Sequence, residues 1–310
     1  MLNKFIYSNT NKRYYTLDYY YKEKFHTKVA KISLDAGFTC PNIDGTKGLG
    51  GCIYCHNGSS SLTAKLSLKE QFLQEKSIMA KKWPQAKYIL YFQAHSNTYA
   101  PVSTLKEIYE TLLKEDNVIG LSIATRPDCI NEECLDYLKD LNKRTFLQVE
   151  LGLQTSNDET AKYINRCHTK DDFTIMVKKL REAHINVIVH IINGLPNETE
   201  LDMLNTIKYL NTLDIQGLKI HMLSIVKGTK LATIYQQKPF KLLTEKEYVD
   251  IVVKQLELLK PNIVIHRLTG DPIQKDLIAP LWLPKKINVL NDIDKLMVKL
   301  NIYQGQKNKS

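Results

Sequence analysis

The sequence predicts an α/β protein built on a parallel sheet that curls into a barrel or part-barrel. Three observations carry that expectation. Short apolar or β-branched runs recur from residue 28 onward, segments of helical spacing separate them, and the chemically unusual motifs fall at the carboxyl ends of the runs. Repeated strand–helix–strand units cross over right-handed, and a parallel sheet extended in this way curls.

The elements follow in order. "KVAKISLD" (28 to 35) is the first expected strand and leads into a cysteine-rich loop; a helix over 67 to 83 then opens with the capping box Ser67 and Glu70. "KYILYFQ" (87 to 93) is the second strand, followed by a helix after Pro101, and "VIGLSIAT" (118 to 125) is the third, followed by a helix near 131 to 141. "TFLQVELGL" (145 to 153), "INVIVHIIN" (185 to 193) and "GLKIHMLSIV" (217 to 226) complete six strands, with helical segments near 158 to 183 and 198 to 210 between them. Beyond this, Thr244 and Glu247 form a capping box ahead of Val249, Val252, Val253, Leu256 and Leu259, a buried helical stripe that ends before Pro261. "IVIHRLTGDP" (263 to 272) could add one more strand with a turn, and Ile287, Leu290, Ile293, Met297 and Leu300 read as the apolar stripe of a covering helix. The expected division is an N-terminal extension (1 to 27), a core (28 to 240) and a C-terminal helical and β extension (241 to 310) packed on the core.

With 310 residues and 43% apolar composition the chain can bury a sizeable core. The N-terminus lacks the apolar stretch of a secretion signal and no apolar run approaches membrane-spanning length, so a cytoplasmic location is expected. In that reducing compartment clustered cysteines point to metal binding or catalysis before disulfides. The net charge of +10 favours polyanionic partners, nucleic acid among them, although a lysine-rich solvated surface has the same balance.

"CPNIDGTKGLGGCIYC" (40 to 55) holds Cys40, Cys52 and Cys55 at the spacing C-x11-C-x2-C, with glycine at 45, 48, 50 and 51. A structural zinc site needs four ligands, and there is no second C-x2-C pair here; His56 is the residue that would complete a Cys3His set. "CIYCH" matches a covalent haem pattern, but that reading leaves Cys40 idle, and a thioredoxin-like dithiol belongs to a smaller fold. Three thiolates on a 4Fe-4S cluster instead leave one iron open to a chelating cofactor, and the glycines let the backbone wrap an inorganic core. Neither G-x-G-x-x-G nor G-x4-G-K-[ST] is present in working order.

These residues resemble the radical S-adenosylmethionine (SAM) superfamily, whose (β/α)6 partial TIM barrel carries a three-cysteine loop after its first strand. The widened first gap is similar to the YhcC/YtqA-type subgroup, and the resemblance runs from about Lys28 to "YQG" at 303 to 305. "TRPD" (125 to 128), "VELGLQT" (149 to 155), "NRCHT" (165 to 169) and "VHIINGLPNET" (189 to 199) further resemble the radical SAM domain of the Elongator catalytic subunit, a tRNA wobble-uridine modifier. Its acetyltransferase domain is not expected here, since no long region of these 310 residues remains to house it.

The resemblance implies that Cys40, Cys52 and Cys55 hold a 4Fe-4S cluster and that SAM chelates the open iron. It implies that Tyr54 flanks adenine, that Gln93 and Ser96 of "FQAHSNT" stand where relatives have a Gly-Gly-Glu turn for the SAM amino group, and that Gln154 and Arg166 lie near the SAM ribose and carboxylate. Arginine suits that role through its forked donors. Ala124 replaces a ribose-binding Glu, for which Glu150 is offered as a substitute, and His190 and Asn193 are expected to line the cavity. The implied activity is SAM cleavage to a 5'-deoxyadenosyl radical, with tRNA at a wobble uridine as substrate and a flavodoxin or ferredoxin as electron donor. A peptide or small metabolite is the alternative substrate, and a zinc-stabilised nucleic-acid-binding protein the alternative of another class.

The remaining candidates have simpler readings. Cys129 and Cys134 read as packed small hydrophobes; Cys167, beside Arg166, is a possible hydrogen-atom donor and His168 a polar wall residue. Six tyrosines in the first 21 residues, with Lys4, Lys12, Arg13, Lys22 and Lys24, could grip RNA or pack as a flap on the barrel.

Overall fold

A computed structural model describes residues 5, 10, 12–56, 66–271 and 274–308. In chain order its strands are β1 (Val29–Leu34), β2 (Lys87–Phe92), β3 (Val118–Thr125), β4 (Phe146–Gln154), β5 (Asn186–Asn193), β6 (Gly217–Met222), β7 (Ile225–Val226), β8 (Val264–Arg267) and β9 (Leu277–Ala279). The helices are α1 (Leu17–Phe25), α2 (Leu68–Lys82), α3 (Val102–Thr111), α4 (Glu132–Arg144), α5 (Asp158–Tyr163), α6 (Lys170–Glu182), α7 (Glu200–Leu210), α8 (Lys230–Gln237), α9 (Glu245–Leu258) and α10 (Lys286–Lys299).

Seven strands form one all-parallel sheet in the order β1-β2-β3-β4-β5-β6-β8. The first six are those the apolar runs predict, and each sequence neighbour pairs with the next. This is a partial TIM barrel. The C-terminal extension does more than cover it, because β8 adds the seventh strand beside β6. The predicted run 217 to 226 breaks after Met222, and its end becomes β7, which pairs antiparallel with β9.

Helices cover the outer face. The capping boxes of α2 and α9 form as expected, and Thr169 and Thr199 build two more at the starts of α6 and α7. The α9 stripe is buried throughout. In α10 Ile293 and Met297 of the expected stripe are buried, joined by Val289, whereas Ile287 and Leu300 are 69% and 54% exposed. The spacing of four selects this face because residues at i, i+4 and i+8 stay in line along a helix.

The N-terminal segment closes the amino end of the barrel. Ile265 N–H donates to the Tyr15 carbonyl, and Tyr21 OH donates to Gln148 Oε1 at 3.0 Å inside the sheet. Tyr14 and Tyr21 are buried, so these two rings pack as a flap and have no face free for a base. Tyr7 and Lys4 lie outside the described residues. Gln304 of "YQG" ties residues 13 to 15 to the C-terminal extension: its Oε1 accepts from Tyr15 N–H at 2.8 Å, its backbone N–H donates to the Arg13 carbonyl at 2.9 Å, and its Nε2 donates to the Lys260 and Ile263 carbonyls, both at 2.8 Å. Gly305 has φ +81 and an added Cβ would lie 2.8 Å from Pro261 Cδ, which accounts for glycine after Gln304. Among the described residues no helix is long and apolar enough to cross a membrane.

Candidate active site at the barrel mouth

The cysteine loop leaves the carboxyl end of β1. Its long first gap is folded back on itself. Gly51 N–H donates to the Asn42 carbonyl at 2.7 Å and Asp44 bridges Leu49, so residues 43 to 50 form an excursion with a closed neck, and Cys40 and Cys52 flank that neck. Cys55 N–H then donates to Cys52 O, the tight turn that C-x2-C allows. The neck is stapled to the turn after α5, where Asn165 Nδ2 donates to Gly51 O at 2.8 Å and Ile53 N–H donates to Ile164 O.

Asn42 is the centre of this staple. It is fully buried, its Nδ2 donates to the Asn165 carbonyl and reaches Cys52 Sγ at 3.5 Å, and its Oδ1 has no partner. Gly48 passes so close that a Cβ there would collide with Asn42 Oδ1 and lie 2.8 Å from Cys167 Sγ. Cys167 itself is exposed on the outer side of the loop and does not line the cavity, so a role as internal hydrogen-atom donor is not supported by its position. Cys129 and Cys134 are buried as expected.

The three thiols open onto one cavity of about 230 Å³ at the carboxyl ends of the strands. Tyr54, Gln93, Ser96, Glu150, Gln154, Arg166 and His190 share its wall. Burial pushes the Cys55 thiol up to about 12 and raises that of Cys52, against which the nearby Arg126 guanidinium acts in the opposite sense. Arg126 is gripped by Asp128 through two 2.9 Å bonds and donates to the Arg166 carbonyl, so a fixed positive charge faces the cysteines. Ser96 Oγ is buried in the wall without a well-formed hydrogen bond, the Cys129 thiol being near it, and can meet an occupant of the cavity. Three sulfurs, one fixed cation and an unsatisfied hydroxyl fit an iron–sulfur cluster with a polar chelating cofactor. Among the described residues no group of three His, Cys, Asp or Glu side chains, the three cysteines included, converges closely enough to hold a single metal ion.

Three expected contacts are placed differently. Asn193 turns away from the cavity: it is 2% exposed and locked in a reciprocal amide pair with Gln255 on α9, at 2.8 and 2.9 Å. Arg166 reaches the wall, but its guanidinium donates to the Leu153, Thr155 and His168 carbonyls and to Asp158, which leaves one of its five N–H groups for a ligand. It pins the end of β4 instead of presenting a fork. Glu150 is fully buried and its two oxygens are taken by Lys31 Nζ (2.6 Å), Ser122 Oγ, Lys219 Nζ and His190 Nε2 (2.6 Å), which answers the cost of a carboxylate in an apolar strand. His168 is buried in the wall, and burial beside Arg166 pushes it down to about 3, so it is neutral.

Asn42, Asn165 and Arg126 are the site residues that sequence reasoning missed. All three sit inside quoted motifs, "CPN", "NRCHT" and "TRPD", so the motifs carried the signal but not the partners. A larger recess of about 520 Å³ lies between residues 194 to 203 and α9; it contains none of the expected site residues.

A parallel part-barrel with a three-cysteine loop and a polar cavity at its carboxyl mouth has the architecture of barrel enzymes, whose sites lie at the carboxyl ends of the strands. The radical SAM superfamily model matches residues 46–210 and the Radical_SAM C-terminal domain model residues 215–299. The chain belongs to the radical SAM superfamily and is a radical SAM enzyme. Uncharacterized protein YtqA of Bacillus subtilis is 46% identical over 98% of this chain and 95% of its own length. Elongator complex protein 3 of Saccharomyces cerevisiae is 29% identical over 53% of this chain and 28% of its own length. The solved structure of Elp3 from the archaeon Methanocaldococcus infernus shares the fold, with a TM-score of 0.68 at 17% identity over 90% of this chain and 64% of that one. The superfamily match begins after Cys40, so it takes in Cys52 and Cys55 only.

Proposed function

We propose that Cys40, Cys52 and Cys55 ligate a 4Fe-4S cluster, that SAM occupies the cavity beside it, and that the enzyme modifies tRNA at a wobble uridine. The observation that carries this reading is the single cavity shared by the three thiols and the polar wall of β2, β4 and β5. When bound, the cluster and SAM supply one-electron chemistry able to break an unactivated C–H bond. The chain's own residues position and enclose. Ser96 Oγ and Gln93 offer polar contacts to the SAM amino group, Tyr54 walls the adenine, and Gln154, held at φ +66 over Gly152, faces the ribose. Arg166 and Arg126 brace the wall and keep positive charge beside the thiolates. Support for tRNA is the Elongator-like motif set together with the basic balance of the chain. A flavodoxin or ferredoxin in the cytoplasm would supply the electron.

Anaerobic reconstitution tests the cofactor reading. The protein should take on broad brown visible absorption and release deoxyadenosine from SAM, and Cys40→Ala should remove the cluster as completely as Cys52→Ala or Cys55→Ala. A Cys40→Ala protein that keeps a full iron complement would overturn the ligand set. Comparing tRNA nucleosides from a strain lacking the protein with wild type tests the substrate; unchanged wobble uridines would redirect the search to peptides or metabolites.

A further inference from the structure

The barrel interior is charged where such barrels are ordinarily packed with branched apolar side chains. Beside the cysteine cavity lies a second chamber of about 260 Å³, lined by Ile192, His221, Met222, Leu223 and Ser224 and sharing Tyr54, Gln154 and His190 with its neighbour. The groups around it come from every nearby strand. Lys31 (β1), Tyr91 (β2), Ser122 (β3), Glu150 (β4), His190 (β5) and Lys219 (β6) form a hydrogen-bonded band, the His221 ring (β6) lies 5.2 Å from that of His190, and His266 and Arg267 follow on β8. Two lysines face one carboxylate. Arg267 adds a further cation whose partner, Asp271, is shared with Lys286.

With both lysines protonated the band carries one positive charge more than Glu150 balances, and burial makes that excess costly enough to draw Lys219 towards its neutral form. It is also short of acceptors. His221 Nε2, on the chamber wall, is buried with no hydrogen-bond partner, as are both ring nitrogens of His266 further down the barrel beside Gly217. Burial, reinforced by positive neighbours including Lys31, Lys219 and Arg267, holds both histidines well below the ordinary value, and burial with Lys31 and Arg267 nearby pushes Lys219 down to about 7 despite Glu150. The chamber wall itself holds neutral histidines, and the cations behind it outnumber the one carboxylate they meet.

We propose that the second chamber receives a carboxylate group of the substrate, which meets His221 at the chamber wall and balances Lys31 and Lys219 behind it. A carboxylate matches the single missing charge, whereas a phosphate carries nearly two. The proposal rests on the cofactor reading above only in taking the neighbouring cavity for SAM, whose own carboxylate is the competing source of the same chemistry.

The test follows the ring nitrogens of His221 and His190 by NMR in oxidised, cluster-loaded protein during titration with sodium acetate, first alone and then with SAM saturating. A saturable shift of His221 that persists with SAM bound, and is about tenfold weaker in Lys219→Met, is the expected result. Because Lys219→Met could perturb folding, Arg267→Gln at the rim serves as a second variant and should weaken the response in the same direction. Loss of the acetate response once SAM is bound assigns the charge to SAM and overturns the substrate carboxylate. Inorganic phosphate binding more tightly than acetate also overturns it, as does a His221 resonance indifferent to both. Deoxyadenosine release is read separately: release without an acetate response overturns the carboxylate site and leaves the cofactor reading standing. An acetate response in protein that assembles no cluster supports the site and overturns the cofactor reading.

Discussion

Gly48 is where one atom decides the shape of the cysteine loop. A methyl group there would strike Asn42 Oδ1, and Asn42 cannot yield without releasing Cys52 Sγ or the Asn165 carbonyl. Gly48→Ala is expected to fold with little loss of stability, because the loop is peripheral to the core, but to take up less than about half the iron of wild type on reconstitution, since the misplaced thiolate weakens cluster ligation. Iron and sulfide analysis checks this, and a full complement would show that Asn42 is not needed to place Cys52. His190 makes the other residue-scale prediction. Burial and the neighbouring Lys219 push it down to about 4, so between pH 6.5 and 4 the unfolded chain binds a proton that the native protein does not. Its contribution to stability is therefore complete above the unfolded value and is lost as pH falls towards 4, by on the order of 3 kcal/mol. Urea unfolding between pH 7 and 4.5 should show this loss together with those of His168, His221 and His266, which burial also holds low, and His190→Gln should lessen the slope by its own share.

At the scale of elements, α6 shows how local chemistry fixes a boundary. Thr169 Oγ1 accepts from Asp172 N–H, Asp172 returns a carboxylate to the Thr169 N–H, and the helix starts there and nowhere earlier. Thr169→Ala should lower stability by about 1 kcal/mol in urea titration while leaving iron uptake unchanged, because the cap lies beyond the Arg166 brace. An unchanged midpoint would mean that packing of Phe173 and Val177 alone sets the helix start. Such periodic and capping signals are why six strands and the main helices were legible in the sequence. The run 217 to 226 was not, since the break after Met222 depends on β7 finding β9, a partner 50 residues away that no local pattern names. For the same reason the cavity residues could be read from motifs while their partners could not. Asn193 looks like a wall residue until Gln255 of α9 is brought against it, and Glu150 looks like a spare carboxylate until Lys31 and Lys219 arrive from β1 and β6.

In the whole molecule, the described stretches before α1 and after α10 meet at the amino end of the barrel, opposite the cysteines, and Gln304 is the joint. Its side chain and backbone satisfy groups of Arg13, Tyr15, Lys260 and Ile263 in a setting that is 1% exposed. Gln304→Leu keeps the volume and removes the bonds. The Tyr15 N–H and the two carbonyls would then be left without a side-chain partner, and one buried unsatisfied group alone costs about 1 to 3 kcal/mol. The expected result is a loss of about 3 kcal/mol in urea unfolding, with faster proteolysis in the segment before α1, because that segment is held to β8 through Tyr15 and to the C-terminus through this residue. The mouth should be unaffected: β1 to β6 are paired without the flap, so iron uptake per folded molecule should match wild type. Iron uptake that falls in step with stability would instead show that closure of the amino end is transmitted through Tyr21 and Gln148 to the level of Glu150 in the same strand, and that the two ends of this barrel act as one unit.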